Sequence, residues 1–96
     1  MNPTFALAAL TLIIRLYDAG IPYEPRPLFE GWQLRFPWTR GDVACHLGTY
    51  GHANGFVETY QFPWDEGDVS MLTPDECADR IIAYYTKQTS GFDISP

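Results

Sequence analysis

The sequence FPWTRGDV at residues 36–43 recurs as FPWDEGDV at residues 62–69. The two copies match at six of eight positions and lie 26 residues apart, which indicates either an internal duplication or one turn solution reached twice. Proline after an aromatic residue ends or edges a strand, glycine permits a positive φ, and aspartate accepts hydrogen bonds from nearby amides. Each copy therefore predicts a turn between two strands.

Alternation of apolar and polar residues around both turns is typical of strands with one face against a core. Residues 31–38 alternate in this way, and Val43, Cys45 and Leu47 alternate after the first turn. A third strand spans residues 56–62 and a short fourth spans 69–72. Strands joined in this order by short turns form an antiparallel meander.

Capping signals predict one helix at each end of the chain. The first covers residues 3–19 after Asn2, and its apolar residues nearly surround it, which indicates a helix that is sandwiched or paired. The second begins at Thr73, which is followed by proline and two acids, and it ends at Ser90-Gly91 before a loose tail at residues 91–96. Between the first helix and the sheet, three prolines within residues 21–27 predict an extended connector.

These features predict a single α+β domain over residues 1–96, an antiparallel three- to four-stranded β-meander flanked by N- and C-terminal helices. Double-stranded RNA-binding domains have a similar element order. Those domains reach phosphates with Lys and Arg, whereas the second helix here opens with acids. We therefore predict the order without that function.

Acidic residues are concentrated in the middle of the chain, which has a formal net charge of −6. Residues 41–79 contain eight acids and no Lys or Arg, while each flanking segment is net +1. Such a block repels phosphate backbones and attracts basic protein surfaces. The charge pattern disfavours direct nucleic-acid binding and favours a partner protein with a basic surface.

The apolar stretch at residues 5–17 is too short to span a bilayer and lacks the charged start and cleavage site of a signal peptide. Two cysteines are also too few for a disulfide framework, so the default is free thiols in a reducing compartment. The sequence thus predicts a cytoplasmic protein that does not bind membranes.

Soft-metal and nucleophile chemistry is confined to four residues, Cys45, His46, His52 and Cys77. Cys45 and His46 are neighbours on a predicted strand, so they point to opposite faces and do not readily share one ion. A cysteine nucleophile needs an exposed, electropositive setting, whereas this one is acidic and the thiol follows the apolar alternation. We predict that both cysteines belong to the core, that His46 faces solvent, and that no cofactor or metal is bound.

The acids of the second turn could in principle serve a hydrolase or bind calcium. Residues 65–68 lack the alternating ligands and terminal glutamate of an EF-hand loop, and three acids at a turn tip are usually solvated. We therefore predict a protein that is not an enzyme, and a small hydrolase is the least favoured alternative.

Two interpretations of Trp38 and Trp64 stay open. They are either lids on matched turns, or a shared aromatic surface at one end of the sheet that is ringed by acids. Trp and Tyr are enriched at binding hot spots, so the second interpretation makes this surface a docking site. Its expected partner-binding residues are Asp42, Glu58, Asp65, Glu66, Asp68, Trp38, Trp64, Tyr50 and Tyr60.

The pieces FEGWQLRFPW, GDVACH, GFVETYQFPWDEGDV and LTPDE, within residues 28–80, resemble short accessory proteins of bacteriophages and mobile elements, including anti-CRISPR proteins. The resemblance implies a binding protein that clamps onto a CRISPR-Cas-type or other nucleic-acid-handling complex in the cytoplasm of a bacterial host. It assigns no role to any residue. The competing hypothesis is a self-associating structural or accessory phage protein, a homodimer in which the first helix pairs with its twin.

Overall fold

The computed structural model describes residues 2–93 as a helix, a five-stranded antiparallel sheet and a second helix, in that order. Neighbouring strands in the sheet are also neighbours in the sequence. The predicted α+β class, the meander and the two flanking helices are confirmed. The elements are α1 (Pro3–Asp18), β1 (Glu24–Leu28), β2 (Gly31–Arg35), β3 (Asp42–Cys45), β4 (Val57–Tyr60), β5 (Val69–Leu72) and α2 (Pro74–Asp93), with 3-10 turns at His52–Asn54 and Pro63–Asp65.

The strand β1 corrects the prediction of a simple connector, because Glu24–Leu28 pairs along its length with β2. Pro25 and Pro27 occupy alternate positions of this edge strand, so the residues between them can supply the ladder hydrogen bonds. The hairpin that joins β1 to β2 places Phe29 and Glu30 at φ values of 42° and 66°. Such turns usually contain Asn-Gly, which explains why the sequence does not reveal this one.

One face of the sheet packs against both helices and forms the core. The inner stripe of α1 consists of Phe5, Ala8, Leu12 and Leu16, and all four are buried. It meets alternate residues of the strands, and the Trp32 indole donates a hydrogen bond of 2.7 Å to the Phe5 carbonyl. The other buried core residues of the sheet and α2 are Leu34, Val43, Cys45, Val57, Leu72, Cys77, Ala78 and Ile81.

Both helices begin with the predicted caps. The Asn2 side chain accepts from the Thr4 amide at 2.8 Å, while Thr73 and Glu76 each accept from the other's amide in a capping box. The helix α2 extends to Asp93, beyond the predicted end at Ser90-Gly91, and residues 94–96 of the predicted tail lie outside the described residues.

An ion-pair cluster on the outside joins the two helices. Arg15 of α1 contacts Asp79 at 2.6 Å and Asp75 at 3.4 Å. The single charge of Arg15 thus offsets part of the charge of two acids of the central block, and both carboxylates stay exposed.

Candidate partner-binding surfaces

Both copies of the repeat lie at the same end of the sheet, because they form the β2–β3 and β4–β5 connections of a meander. Trp38 packs against Tyr85 at a ring distance of 4.9 Å and donates to the Pro22 carbonyl at 3.0 Å. Trp64 stacks on Phe62 at 4.5 Å. Tyr84 of α2 touches both tryptophans, at 5.8 Å and 6.1 Å.

The two tryptophans are therefore half-buried and held beneath α2. This geometry fits the interpretation of two matched turns with tryptophan lids. Each ring keeps one exposed side, and the Arg80 guanidinium lies 5.9 Å from the Trp64 ring. The two indoles therefore do not form an open aromatic surface.

The two copies of the repeat share residues but differ in backbone conformation. In the second copy Gly67 adopts φ 86°, as a turn glycine is expected to do. Gly41 of the first copy is instead buried, and a Cβ atom there would lie 2.6 Å from the Phe62 ring. The expectation that both glycines supply positive φ is wrong for Gly41, which provides space for the ring of the other copy.

Asp65 is not a surface acid, contrary to the prediction that it belongs to the docking site. Its side chain is 4% exposed, and its two oxygens accept from the Thr59 hydroxyl at 2.8 Å and the Phe62 amide at 3.0 Å. The Thr59 hydroxyl in turn accepts from the Trp64 indole at 2.9 Å. Because Pro63 starts a 3-10 turn, the third residue of that turn folds back onto the amide before it. The exposed acids of this tip are Glu66 and Asp68.

The other face of the sheet carries no helix within the described part of the chain. By the strand register, Asp42 lies opposite Tyr60, and Glu58 lies opposite Met71. The loop after β3 folds against this face, and the Tyr50 amide donates to the Glu58 carboxylate at 3.1 Å. Glu58 thus lies beside the exposed Met71, whereas Asp42 lies between Tyr60 on one side and Arg35 on the other.

We call this region the sheet-face patch. Its apolar members are Tyr50, which is 70% exposed, Tyr60, which is 43% exposed, and Met71. Two of these were expected from the sequence, whereas Met71 was not. The period of two along β5 was the available signal, because it places Met71 on the face opposite the buried Leu72. The patch has acids within it and, at its Tyr60 end, the Glu66 and Asp68 tip.

Ionisable groups near the patch respond to burial. Desolvation raises the pKa of Asp42, although a hydrogen bond from Gln33 and the charge of Arg35 oppose it. Desolvation also lowers the pKa of His46 below 6.5, although Glu58 opposes it. The imidazole is half-buried and its Nδ1 accepts from the Gly48 amide at 3.0 Å, so it is less solvent-facing than predicted.

Both cysteines are core residues, as the sequence predicts. Burial raises the pKa of the Cys45 thiol to about 11 and raises that of Cys77 as well. Thiols held in this way are protonated and poorly nucleophilic at neutral pH.

Within residues 2–93, no group of three or more His, Cys, Asp or Glu side chains is arranged to hold a metal ion. In the same range no helix has the length and apolar character needed to cross a membrane. No protein family, curated protein or solved structure that we compared matches this chain.

Proposed function

We propose that this chain is a non-enzymatic protein-binding module that docks through the sheet-face patch onto a basic surface of a partner protein. The partner class that best fits is a host nucleic-acid-handling complex of CRISPR-Cas type, which the chain would inhibit by occupying a basic surface. Such a target places the protein in the bacterial cytoplasm.

The observation that supports the proposal is the combination of acids and exposed aromatics on one face. Asp42 and Glu58 lie in the sheet beside Tyr60 and Tyr50. Lys and Arg are missing from residues 41–79, and Arg35 of β2, which lies opposite Asp42, is the base next to these acids. Aromatic side chains supply contact area at a small entropic cost, whereas acids steer a basic partner and raise the association rate. The patch offers both at once.

The tip of the second repeat extends this acidic field. Glu66 and Asp68 are exposed and lie in the connection between β4 and β5, at the Tyr60 end of β4. An exposed charge attracts an opposite charge on a partner mainly within one Debye length, roughly 8 Å at physiological salt, so acids close to the contact residues steer most effectively. We assign the tip to steering and the tyrosines to contact.

A matched pair of charge reversals tests the steering role. Glu66 and Glu30 are both exposed glutamates with left-handed backbones, at φ 51° and 66°, but they lie in connections at opposite ends of the sheet. Glu66→Lys and Glu30→Lys therefore make the same change in net charge and in turn chemistry. The probes are purified, guide-loaded CRISPR-Cas effector complexes, whose binding to labelled target DNA is followed by fluorescence anisotropy.

We expect wild-type protein to inhibit DNA binding by at least one effector, and Glu66→Lys to weaken this inhibition roughly tenfold or more at low salt. Glu30→Lys should change it less than threefold. Tyr50→Ala with Tyr60→Ala should abolish inhibition while leaving the melting temperature nearly unchanged. Equal effects of the two charge reversals would refute the steering role, and unaltered inhibition in the tyrosine variant would refute the patch.

A pull-down from a bacterial lysate, quantified by mass spectrometry for the same variants, tests the binding function independently of the identity of the target. Capture of a basic partner that depends on Tyr50 and Tyr60, without inhibition of any effector, would keep the binding function and overturn the CRISPR-Cas assignment. Recovery of the same proteins with the tyrosine variant would overturn the assignment of binding to the sheet-face patch.

A further inference from the structure

The outer side of α1 is an exposed apolar stripe that no element among residues 2–93 covers. Leu7, Leu10, Ile14 and Tyr17 are between 51% and 76% exposed, and they are separated by three, four and three residues. This is the a/d spacing of a coiled-coil seam, and it lies on the side of α1 opposite the core stripe. The sequence predicts a helix that is sandwiched or paired, because apolar residues nearly surround it, whereas the described residues bury only one of its sides.

We infer that this stripe is the interface of a homodimer in which α1 packs antiparallel against α1 of a second copy. The inference does not depend on the proposed function. In this arrangement a two-fold axis passes through the middle of the stripe, so Leu10 contacts Ile14 of the partner and Leu7 contacts its Tyr17. Each contact occurs twice, as an isologous interface requires.

The distribution of charge favours a second copy at this face. The chain has a net charge of −6, so two copies repel one another wherever their acids meet. Within α1 the charged residues are Arg15 and Asp18, and Arg15 is engaged by Asp75 and Asp79 of α2. The stripe itself carries no charge, so it is a face on which copies can approach at little electrostatic cost.

Charge complementarity also selects the antiparallel direction. The first turn of α1 has no acid, so its positive dipole end is not compensated by an acidic side chain, while Asp18 lies at the negative end. An antiparallel pair brings each Asp18 beside the first turn of the other helix. A parallel pair would bring the two Asp18 carboxylates together.

The apolar surface continues beyond the stripe and enlarges the interface. Ala9 and Ile13, on the flank of α1, line a groove of about 370 Å³ together with Pro25, Pro27, Trp32 and Leu34, and among the described residues Arg26 is the one charged residue of its lining. The four stripe side chains alone remove on the order of 100 Å² each from water in either copy. With the groove margin, the total lies near the lower limit for specific interfaces, which predicts micromolar rather than nanomolar affinity.

Sedimentation equilibrium of the full chain from about 1 to 500 µM tests the dimer. We expect a monomer of 10.9 kDa at the lowest concentrations, a dimer at the highest, and little change between 50 and 500 mM NaCl. Ile14→Arg should weaken dimerisation at least tenfold. Met71→Arg is its matched control, because both side chains are 51% exposed and only Ile14 lies on the stripe.

Cysteine cross-linking tests the orientation without relying on a disruptive variant. The native thiols Cys45 and Cys77 are buried, so Leu10→Cys and Ile14→Cys supply the accessible ones. An equal mixture of the two variants should cross-link mainly as Leu10→Cys with Ile14→Cys. Predominant linkage of Leu10→Cys to itself would refute the antiparallel arrangement.

A protein that stays monomeric at 500 µM would overturn the inference. So would a dimer that Met71→Arg disrupts and Ile14→Arg leaves intact. Flotation of a monomeric protein with phosphatidylglycerol vesicles, lost in Ile14→Arg, would assign the stripe to a lipid surface and would also overturn the dimer.

Discussion

Replacing Asp65 with alanine should destabilise the domain far more than replacing Asp68, although both acids belong to the same copy of the repeat. The side chain of Asp65 is 4% exposed and accepts from the Thr59 hydroxyl and the Phe62 amide. Asp68 is exposed and accepts only from the adjacent Val69 amide, at 2.8 Å. The two substitutions remove the same group from opposite environments.

The magnitude follows from the donors left behind. Thr59 is fully buried, so Asp65→Ala leaves its hydroxyl and the Phe62 amide without their acceptor, at roughly 1–3 kcal/mol each. Relief of the buried carboxylate offsets part of this, which gives a net loss of about 3 kcal/mol. For a domain of 96 residues such a loss lowers the melting temperature by roughly 12–24 °C. Asp68→Ala should cost less than about 1 kcal/mol.

Urea unfolding followed by tryptophan fluorescence measures both variants against the wild type, and calorimetry gives the melting temperatures. Trp64 reports directly on the site, because its indole donates to the same Thr59 hydroxyl. Asp65→Asn should fall between wild type and alanine, since an amide supplies only one acceptor oxygen. A loss below 1 kcal/mol for Asp65→Ala, or losses equal to those of Asp68→Ala, would refute the assignment of Asp65 as a buried structural acid.

Two further predictions concern the repeat and the sheet-face loop. Gly41→Ala should lower the free energy of unfolding in urea by about 2–3 kcal/mol, and Gly67→Ala by about 1 kcal/mol. A Cβ at position 41 would collide with the Phe62 ring, whereas a Cβ at position 67 would have no atom within 4 Å. The reverse order would contradict this steric reason. Because the pKa of His46 is lowered by folding, the unfolded state binds the proton first and stability is lost as pH falls through the folded pKa below 6.5. NMR should show the Gly48 amide shifting with the same midpoint as the imidazole, and a Gly48 resonance that ignores this titration would disprove the coupling.

The sequence predicts most of the fold because its main elements carry local signals. The capping box at Thr73 and the period of two in β2 and β4 each specify their element without tertiary information. The strand β1 escaped prediction because its hairpin places Phe29 and Glu30 in left-handed conformations that ordinary side chains rarely adopt. Its prolines also suggest a connector, because proline is tolerated in an edge strand only where no ladder hydrogen bond is needed, and those positions are known only from the register.

The candidate surfaces were predictable to a smaller extent. Alternation alone places Asp42, Glu58 and Tyr60 on one face of the sheet, and the spacing of the α1 stripe is visible in the sequence. The burial of Asp65 could not be predicted from the repeat. The equivalent residue of the first copy is Thr39, and the two turns have different backbone conformations. Burial of the carboxylate depends on Thr59, which only the folded chain brings beside it.

The two proposed interfaces are compatible because they lie on opposite sides of the molecule. The helix α1 packs on the covered face of the sheet with its stripe directed outward, whereas the sheet-face patch lies on the other side. A dimer formed through α1 therefore presents two patches that face away from each other. The dimer can then join two partner molecules in solution, whereas its two patches cannot both engage one flat partner-coated surface. Ile14→Arg should leave the affinity for one partner molecule unchanged and reduce the complex from two copies with two partners to one copy with one partner in sedimentation velocity. A loss of affinity for the single partner would mean that the stripe contacts the partner itself.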